Sequence, residues 1–325
     1  MRVLVTGGAG YIGSVAVAML VEEGHDVVAL DNLQRGHIDA VTSDAEFVEC
    51  DLRDPVATLE AVSVANAEAV LHFAALHLVP ESMDKPAEYY RTNVVGGLNL
   101  LDAVRAQDID KFVFSSTAAV YGEPISLPIR EDSSTVPINP YGASKLMMER
   151  LLADFGATYG INYAIFRYFN VAGSKGVQGE DHRPETHIIP LAIESITGKR
   201  ESFTVFGTDY DTDDGTAVRD YVHVIDLVHA HILALEQLDQ TLGVFNLGTR
   251  NGFSVSQIVE AVELTTDRRL PVVMGPRRAG DPPALIADST RANTVLNWDP
   301  GHSTLDLMIG SHWEWVRRNP DGYAR

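Results

Sequence analysis

The chain opens on a short apolar run, Val3-Leu4-Val5-Thr6, that stops at Gly7-Gly8-Ala9-Gly10-Tyr11-Ile12-Gly13. No other stretch limits the possible folds so strongly. The run reads as a buried strand meeting a turn. Behind it, Ile12 to Glu23 has helical periodicity and ends at Gly24, a natural C-cap. Glycines between a strand and a helix allow positive φ, close approach of backbone to a ligand, and tight helix–strand contact. The spacing fits both G-x-G-x-x-G and G-x-x-G-x-x-G, and the amides that open the following helix suit a pyrophosphate.

Strands and helices then alternate. Strands are predicted at Val27–Leu30, Phe47–Cys50, Ala69–Phe73, Lys111–Ser115 and Tyr163–Arg167. Helices are predicted from Pro55, over Pro86–Arg105 and over Pro140–Tyr159, each begun by a proline whose missing N–H costs nothing there. This alternation implies an α/β fold, a doubly wound parallel sheet of Rossmann type with helices on both faces. After about Asn170 the texture changes to loops rich in Gly, Asp and Arg with short helices, including the acidic run Asp209–Asp214. The expected division is a dinucleotide-binding domain over 1–169 and a smaller C-terminal α/β substrate domain over 170–325. About 219–248 is expected to return to the first domain, and the second to sit over the carboxyl edge of the sheet.

The net charge of -20 repels nucleic acid and anionic lipid, so neither is an expected partner. It also repels an anionic ligand at long range, so arginines and helix N-termini must act locally. Cys50 is the only cysteine, which excludes an internal disulfide. The glycine motif begins so early that no signal peptide is expected, and no apolar stretch approaches the roughly 18 residues that span a bilayer. A cytoplasmic location follows as an expectation.

Asp31 stands directly after the second strand. A carboxylate there accepts hydrogen bonds from an adenosine ribose and repels a 2′-phosphate, favouring NAD over NADP. Turn capping is its alternative role, and Arg35 nearby could instead serve a 2′-phosphate. In Tyr141-Gly142-Ala143-Ser144-Lys145 the i, i+4 spacing puts a phenol and an ammonium on one helix face. A nearby cation favours the phenolate and makes Tyr141 a candidate proton acceptor. Thr117, at the end of a central strand, could hydrogen-bond a reacting hydroxyl or merely cap the strand.

With these residues in hand, the sequence resembles the extended short-chain dehydrogenase/reductase family, and within it the UDP-glucose 4-epimerases. The resemblance runs the whole length. Its blocks include Gly7–Gly13, Asp31-Asn32-Leu33, Asp51-Leu52-Arg53, His72–Ala75, Glu81-Ser82, Ser115–Gly122 and Tyr141–Lys145. It continues through Arg167–Asn170, Phe206–Tyr210, Asp214–Thr216, Arg219–Val224, Asn246-Leu247-Gly248 and Arg277–Asp281. It implies that Tyr141 is the acid/base, that Lys145 holds the cofactor ribose and tunes Tyr141, and that Thr117 binds the sugar O4. The cofactor would be NAD, tightly held, with hydride leaving C4 and returning to the other face of a 4-keto sugar. Gly7, Gly10, Tyr11, Ile12, Gly13, Asp31, Asn32, Leu33, Gly36, Asp51 and Leu52 would surround its adenosine and phosphates. Phe73, Ala74, Ala75, His77, Thr92, Ser115, Tyr141, Lys145, Tyr168 and Phe169 would line the rest of its cleft. Thr117, Tyr141, Asn170, His187, Thr204, Val205, Phe206, Arg219, Arg278 and Asp281 would contact a UDP-sugar. The resemblance also implies a homodimer, paired through helices Pro86–Arg105 and Pro140–Tyr159.

Three positions depart from the best-known members. His77 replaces a common lysine, Thr186-His187 replaces an Asn pair, and Leu285 occupies the position that sets room for an N-acetyl group. Sugar dehydratases of the family carry Asp-Glu after the Ser-Ser-Thr strand, where this chain has Ala118-Ala119. Two methyl groups cannot move protons, so elimination is disfavoured. Another UDP-sugar 4-epimerase, acting on UDP-glucuronate or UDP-N-acetylglucosamine, remains an alternative, as does a non-catalytic NAD-binding regulator on the same fold. His223, His229 and His231 lack the spacing of a zinc helix, so no metal site is expected.

Overall fold

The computed structural model describes residues 1–278 and 282–323. Six strands form in the first half: β1 (Arg2–Thr6), β2 (Asp26–Asp31), β3 (Glu46–Glu49), β4 (Ala69–His72), β5 (Lys111–Ser115) and β6 (Asn162–Tyr168). They pair in parallel in the order β3-β2-β1-β4-β5-β6. The order reverses between β1 and β4, and ligands of such sheets bind in the crevice at that reversal, beyond the strands' carboxyl ends. The register sets Thr6 opposite both Leu30 and His72, so these strand ends finish at one level.

Period-2 alternation divides the side chains between two cores. Val3, Val5, Ala29, Leu71 and Phe166 pack against helices Tyr11–Glu22 and Val224–Glu236 on one face. Leu4, Val28, Val70, Phe112 and Ile165 pack against helices Pro55–Ala65, Gly96–Ala106 and Pro140–Tyr159 on the other. Strands buried on both faces read as continuous apolar runs, which is why they were legible in the sequence. Helix Pro140–Tyr159 is capped by Asn139, whose side chain accepts from Gly142 N at 2.8 Å, and ends at Gly160 with φ +78°. Its first turn is pressed onto the segment after β5, where a Cβ on Gly142 would meet Ala119 O at 2.5 Å.

The helix expected over Pro86–Arg105 runs unbroken over 86–106, but not as one α-helix: α-helical at Pro86–Tyr89, π-helical at Tyr90–Val95 and α-helical again at Gly96–Ala106. The local wide turn lets Asn93 point inward, where it bonds Leu76 O and Ser144 Oγ, each at 2.9 Å. π-turns recur at functional sites.

Beyond Asn170 the chain forms more strands than its loop-like texture suggests. They are β7 (Asn170–Ala172), β8 (Phe203–Phe206), β9 (Val218–His223), β10 (Gly243–Leu247), β11 (Gly252–Ser254), β12 (Val272–Gly275) and β13 (Ala284–Leu285). Most are too short for a period to show. Strand β10 adds to β6 and makes the large sheet seven-stranded; β11, β9, β13 and β7 form a second sheet, and β12 pairs with β8. A third core, with Ile189, Ile193, Ile258, Val262 and Met308, joins helices Ile188–Thr197, Val255–Thr266 and Leu305–Arg318. Among the described residues no helix is long and apolar enough to cross a membrane.

Candidate active site

A cleft of about 530 Å³ runs along the carboxyl ends of the parallel strands. Its floor is the glycine loop. Gly7 has φ +73°, and its amide donates to Leu30 O at 2.8 Å. Gly13 meets a different demand: an added Cβ would lie 2.0 Å from Gly7 O. Gly10 has extended backbone (φ -79°, ψ 174°), and a Cβ there would meet only Gly7 O, at 3.3 Å. The fold therefore barely requires glycine at 10, but a ligand lying along the loop would.

Asp31 lies buried in the wall, its carboxylate accepting from Ala9 N at 3.1 Å and Leu33 N at 2.9 Å. Burial raises its pKa, while these amides oppose the rise. It thus both organises the turn and lines the cleft. Arg35 is committed elsewhere, with Nη2 donating to both Glu81 oxygens at 2.8 Å, which removes the expected rival for a 2′-phosphate. Asp51 also lines the cleft and is held at about 2 by its hydrogen bonds with Arg53.

Farther along, the walls bring together Thr117, Tyr141, Lys145, Phe73, Ala74, Ala75, Thr92, Tyr168 and Phe169. Thr117 caps the 3-10 turn Ala118–Tyr121 by accepting from Ala119 N at 3.1 Å, and it lines the cleft together with Tyr141. The capping role is thus seen, in a residue that also faces the cleft. Lys145 Nζ donates to Ser115 O at 2.8 Å and lies 4.9 Å from the Phe114 ring centroid. Burial lowers Lys145 to about 7, against the pull of Glu149. Burial likewise pushes Tyr141 up to about 12, opposed by the nearby Thr117 hydroxyl. The lowered phenol expected from the Tyr–Lys spacing is thus not the state of the protein by itself. Desolvation dominates at the phenol, and the same burial weakens the charge of Lys145.

Two cofactor-side residues stand apart from these walls. Leu33 has positive φ (56°) and lines a smaller neighbouring cavity. Ser115 is buried beneath the cleft, where its Oγ lies 2.9 Å from His231 Nε2. On the substrate side, Asn170, His187, Arg219 and Leu285 line the cleft, whereas Thr204, Val205, Phe206 and Arg278 are outside its walls. Val205 is packed in the third core, and the Arg278 guanidinium lies over the Phe206 ring at 4.2 Å. Asp281 lies outside the described residues. Arg219 Nη2 donates to Pro282 O at 2.9 Å.

His187 does not present Nδ1 to the cleft, because that atom contacts the buried carboxylate of Glu180. Burial works against charge on His187, but Glu180 prevails and raises it to about 9. His182, absent from the sequence-based candidates, lines the cleft beside His77, their rings 4.7 Å apart. Its only signal was its place between two glutamates, and spacing alone does not tell which way such side chains point.

The cleft fits NAD on three counts. Gly10 leaves space that a Cβ would fill, Asp31 is set at the end of β2, and two buried polar atoms, His77 Nε2 and Thr92 Oγ1, have no hydrogen-bond partner. A family described as NAD dependent epimerase/dehydratase matches residues 3–248. The chain is 50% identical over 327 residues to UDP-glucose 4-epimerase of Lactobacillus helveticus, covering 99% of each. It superposes with a TM-score of 0.93 on UDP-glucose 4-epimerase from Brucella ovis in complex with NAD, at 45% identity over 96% of this chain and 98% of that one. The Bifidobacterium longum enzyme in complex with NAD+ and UDP gives 0.94 at 36% identity over 99% and 100%. By its sequence, its parallel sheet and the residues of its cleft, the chain belongs to the NAD dependent epimerase/dehydratase family, among that family's UDP-glucose 4-epimerases.

Proposed function

We infer that this protein interconverts UDP-galactose and UDP-glucose by inverting the configuration at sugar C4. The observation that carries the reading is that Thr117, Tyr141 and Lys145 line one cleft floored by the glycine loop. Tyr141 takes the proton of the C4 hydroxyl while Thr117 holds O4. Bound NAD supplies the hydride acceptor for C4 and the hydride donor for the return. The resulting 4-keto sugar turns over before Tyr141 gives the proton back. Burial alone would keep the phenol protonated near neutral pH, so cationic groups in the cleft must offset it. Lys145, at about 7, supplies such charge. Ala118 and Ala119 line the cleft beside Thr117 and offer no second proton carrier, so the reaction stops at C4.

The large sheet would hold the cofactor, and the elements after Asn170 the UDP moiety, with Arg219 nearest the expected pyrophosphate. Two copies would pair across helices Gly96–Ala106 and Pro140–Tyr159. Exposed Met147 and the adjoining Val95 suit such a contact, and light scattering tests it. The site of action would be the cytoplasm. Purified protein incubated with UDP-galactose and no added cofactor should yield UDP-glucose. Release of a 4-keto-6-deoxy sugar, or no product, would refute the reading. Parallel incubations with UDP-glucuronate and UDP-N-acetylglucosamine define how much room Leu285 leaves.

A further inference from the structure

We propose that Glu180, His182, Glu185 and His187 form a binding site for one divalent transition-metal ion of the zinc type. Each side chain offers one ligand atom, and the four atoms lie within 4.8 Å of one another. His182 Nδ1 is 3.1 Å from Glu180 Oε1, and His187 Nδ1 contacts the same oxygen while lying 3.9 Å from Glu185 Oε1. Metal–ligand bonds of about 2.1 Å set neighbouring ligands of a tetrahedron about 3.4 Å apart, between the 3.1 and 3.9 Å separations here, and an ion would draw the closer His187–Glu180 pair apart. Two imidazoles with two carboxylates suit zinc and its neighbours; calcium and magnesium prefer oxygen ligands alone.

Charge supports the same assignment. The Glu180 and Glu185 side chains are only 1% and 6% exposed, and beside two buried carboxylates the one imidazolium of His187 leaves negative charge that a divalent ion would balance. The nearby arginines are committed to other acids: Arg183 to Asp181 and Arg35 to Glu81. The site is held in shape before any ion arrives. Glu185 Oε1 accepts from Thr186 N at 2.6 Å and His187 N at 2.8 Å, and His187 is the N-cap residue of helix Ile188–Thr197. A further nitrogen waits alongside. His77 Nε2 is buried without a hydrogen-bond partner, and the His77 ring lies 4.7 Å from His182 and 6.1 Å from His187.

The four ligands fall within eight residues, Glu-Asp-His-Arg-Pro-Glu-Thr-His, so an ion would cross-link one loop. That loop abuts the glycine loop, where the Tyr11 ring meets His182 edge-on at 6.1 Å and the Tyr11 hydroxyl donates to Gly173 O at 2.5 Å. The ion's role is therefore structural, fixing the cleft wall that His182 and His187 supply. The proposal does not depend on which sugar the enzyme turns over.

The test is metal analysis of full-length protein purified without chelator or polyhistidine tag, before and after equilibration with zinc chloride and exhaustive dialysis. About one zinc per chain is expected, lost in the double variant Glu180→Gln/His182→Ala. Chelator stripping should lower the melting temperature by about 5 °C or more, with recovery on adding zinc but not magnesium. Less than about a tenth of an equivalent after equilibration with zinc would overturn the proposal, as would zinc retained in full by the variant. If the double variant does not fold, His182→Gln takes its place, and the stripping experiment stands by itself: an unchanged melting temperature on complete zinc loss refutes the structural role.

Discussion

Two glycines three residues apart should fail in opposite ways when changed to alanine. At Gly13 the new Cβ would sit 2.0 Å from Gly7 O and 2.7 Å from Gly7 C, both backbone atoms. An ordinary C···O contact is about 3.3 Å, so helix and loop must separate by roughly 1.3 Å. Overpacking of that kind costs about 1–3 kcal/mol. At about 2–4 °C per kcal/mol, Gly13→Ala should melt roughly 2–12 °C lower even without nucleotide. At Gly10 the Cβ asks Gly7 O to give only a few tenths of an ångström and otherwise enters the cleft. Gly10→Ala should therefore keep the nucleotide-free melting temperature within about 2 °C. The methyl would stand where a pyrophosphate held by the loop would pass, so the same 1–3 kcal/mol would fall on binding, a roughly 5- to 150-fold rise in the NAD dissociation constant. Calorimetric melting of nucleotide-stripped protein and titration with NAD read the two effects separately. Wild-type NAD affinity in Gly10→Ala would refute the assignment of the loop to the cofactor, and an unshifted Gly13→Ala would refute the packing argument.

Tyr141→Phe should fold and keep NAD but lose about 10²–10⁴-fold in turnover, measured as UDP-glucose formed, and near-normal activity would remove Tyr141 from the mechanism. Asp31→Ala should weaken discrimination between NAD and NADP in competitive binding; it also strands the amides of Ala9 and Leu33, so a lower melting temperature accompanies it. Glu149→Ala leaves the buried Arg167 guanidinium without the carboxylate it grips through Nε at 3.0 Å, and should cost about 3–5 kcal/mol in urea unfolding. Lys145 sits at about 7 in the folded protein, below its ordinary value of 10.5, so the unfolded chain binds the extra proton between those pH values. Burial of Lys145 therefore destabilises the fold fully below pH 7, and the penalty fades as pH rises toward about 10.5; Lys145→Met should flatten that part of the stability profile. His231, lowered by burial to about 4, works at the acid end: stability should fall as pH drops from 6.5 toward 4, less steeply in His231→Gln.

What the sequence disclosed was local. Strand, glycine turn and helix follow one another within Val3–Glu23, and Tyr141 and Lys145 share a helix, so spacing alone placed them together. Other features depend on partners far along the chain. The engagement of Arg35 by Glu81 spans 46 residues, and it, not the type of residue 35, removes the guanidinium from the ribose. The π-turn at Tyr90–Val95 follows from Asn93 reaching Leu76 and Ser144, which no periodicity encodes. The short strands after Asn170 carry too few residues for alternation to register. The convergence of His182 and His187 on Glu180 needs a loop whose side-chain directions are set by packing against Tyr11 and helix Ile188–Thr197. Even the Tyr141–Lys145 pair was legible in position and not in energetics, since burial raises the phenol and lowers the lysine.

The central claim is that the hydrogen on C4 leaves and returns as a hydride within one closed cleft, with Tyr141 handling only the hydroxyl proton. Conversion of UDP-galactose in deuterium oxide, followed by mass and proton spectra of the UDP-glucose formed, tests it directly. The account expects C4 to keep its original hydrogen through many turnovers. Deuterium accumulating at C4 in step with product would show proton abstraction from carbon, and would contradict it.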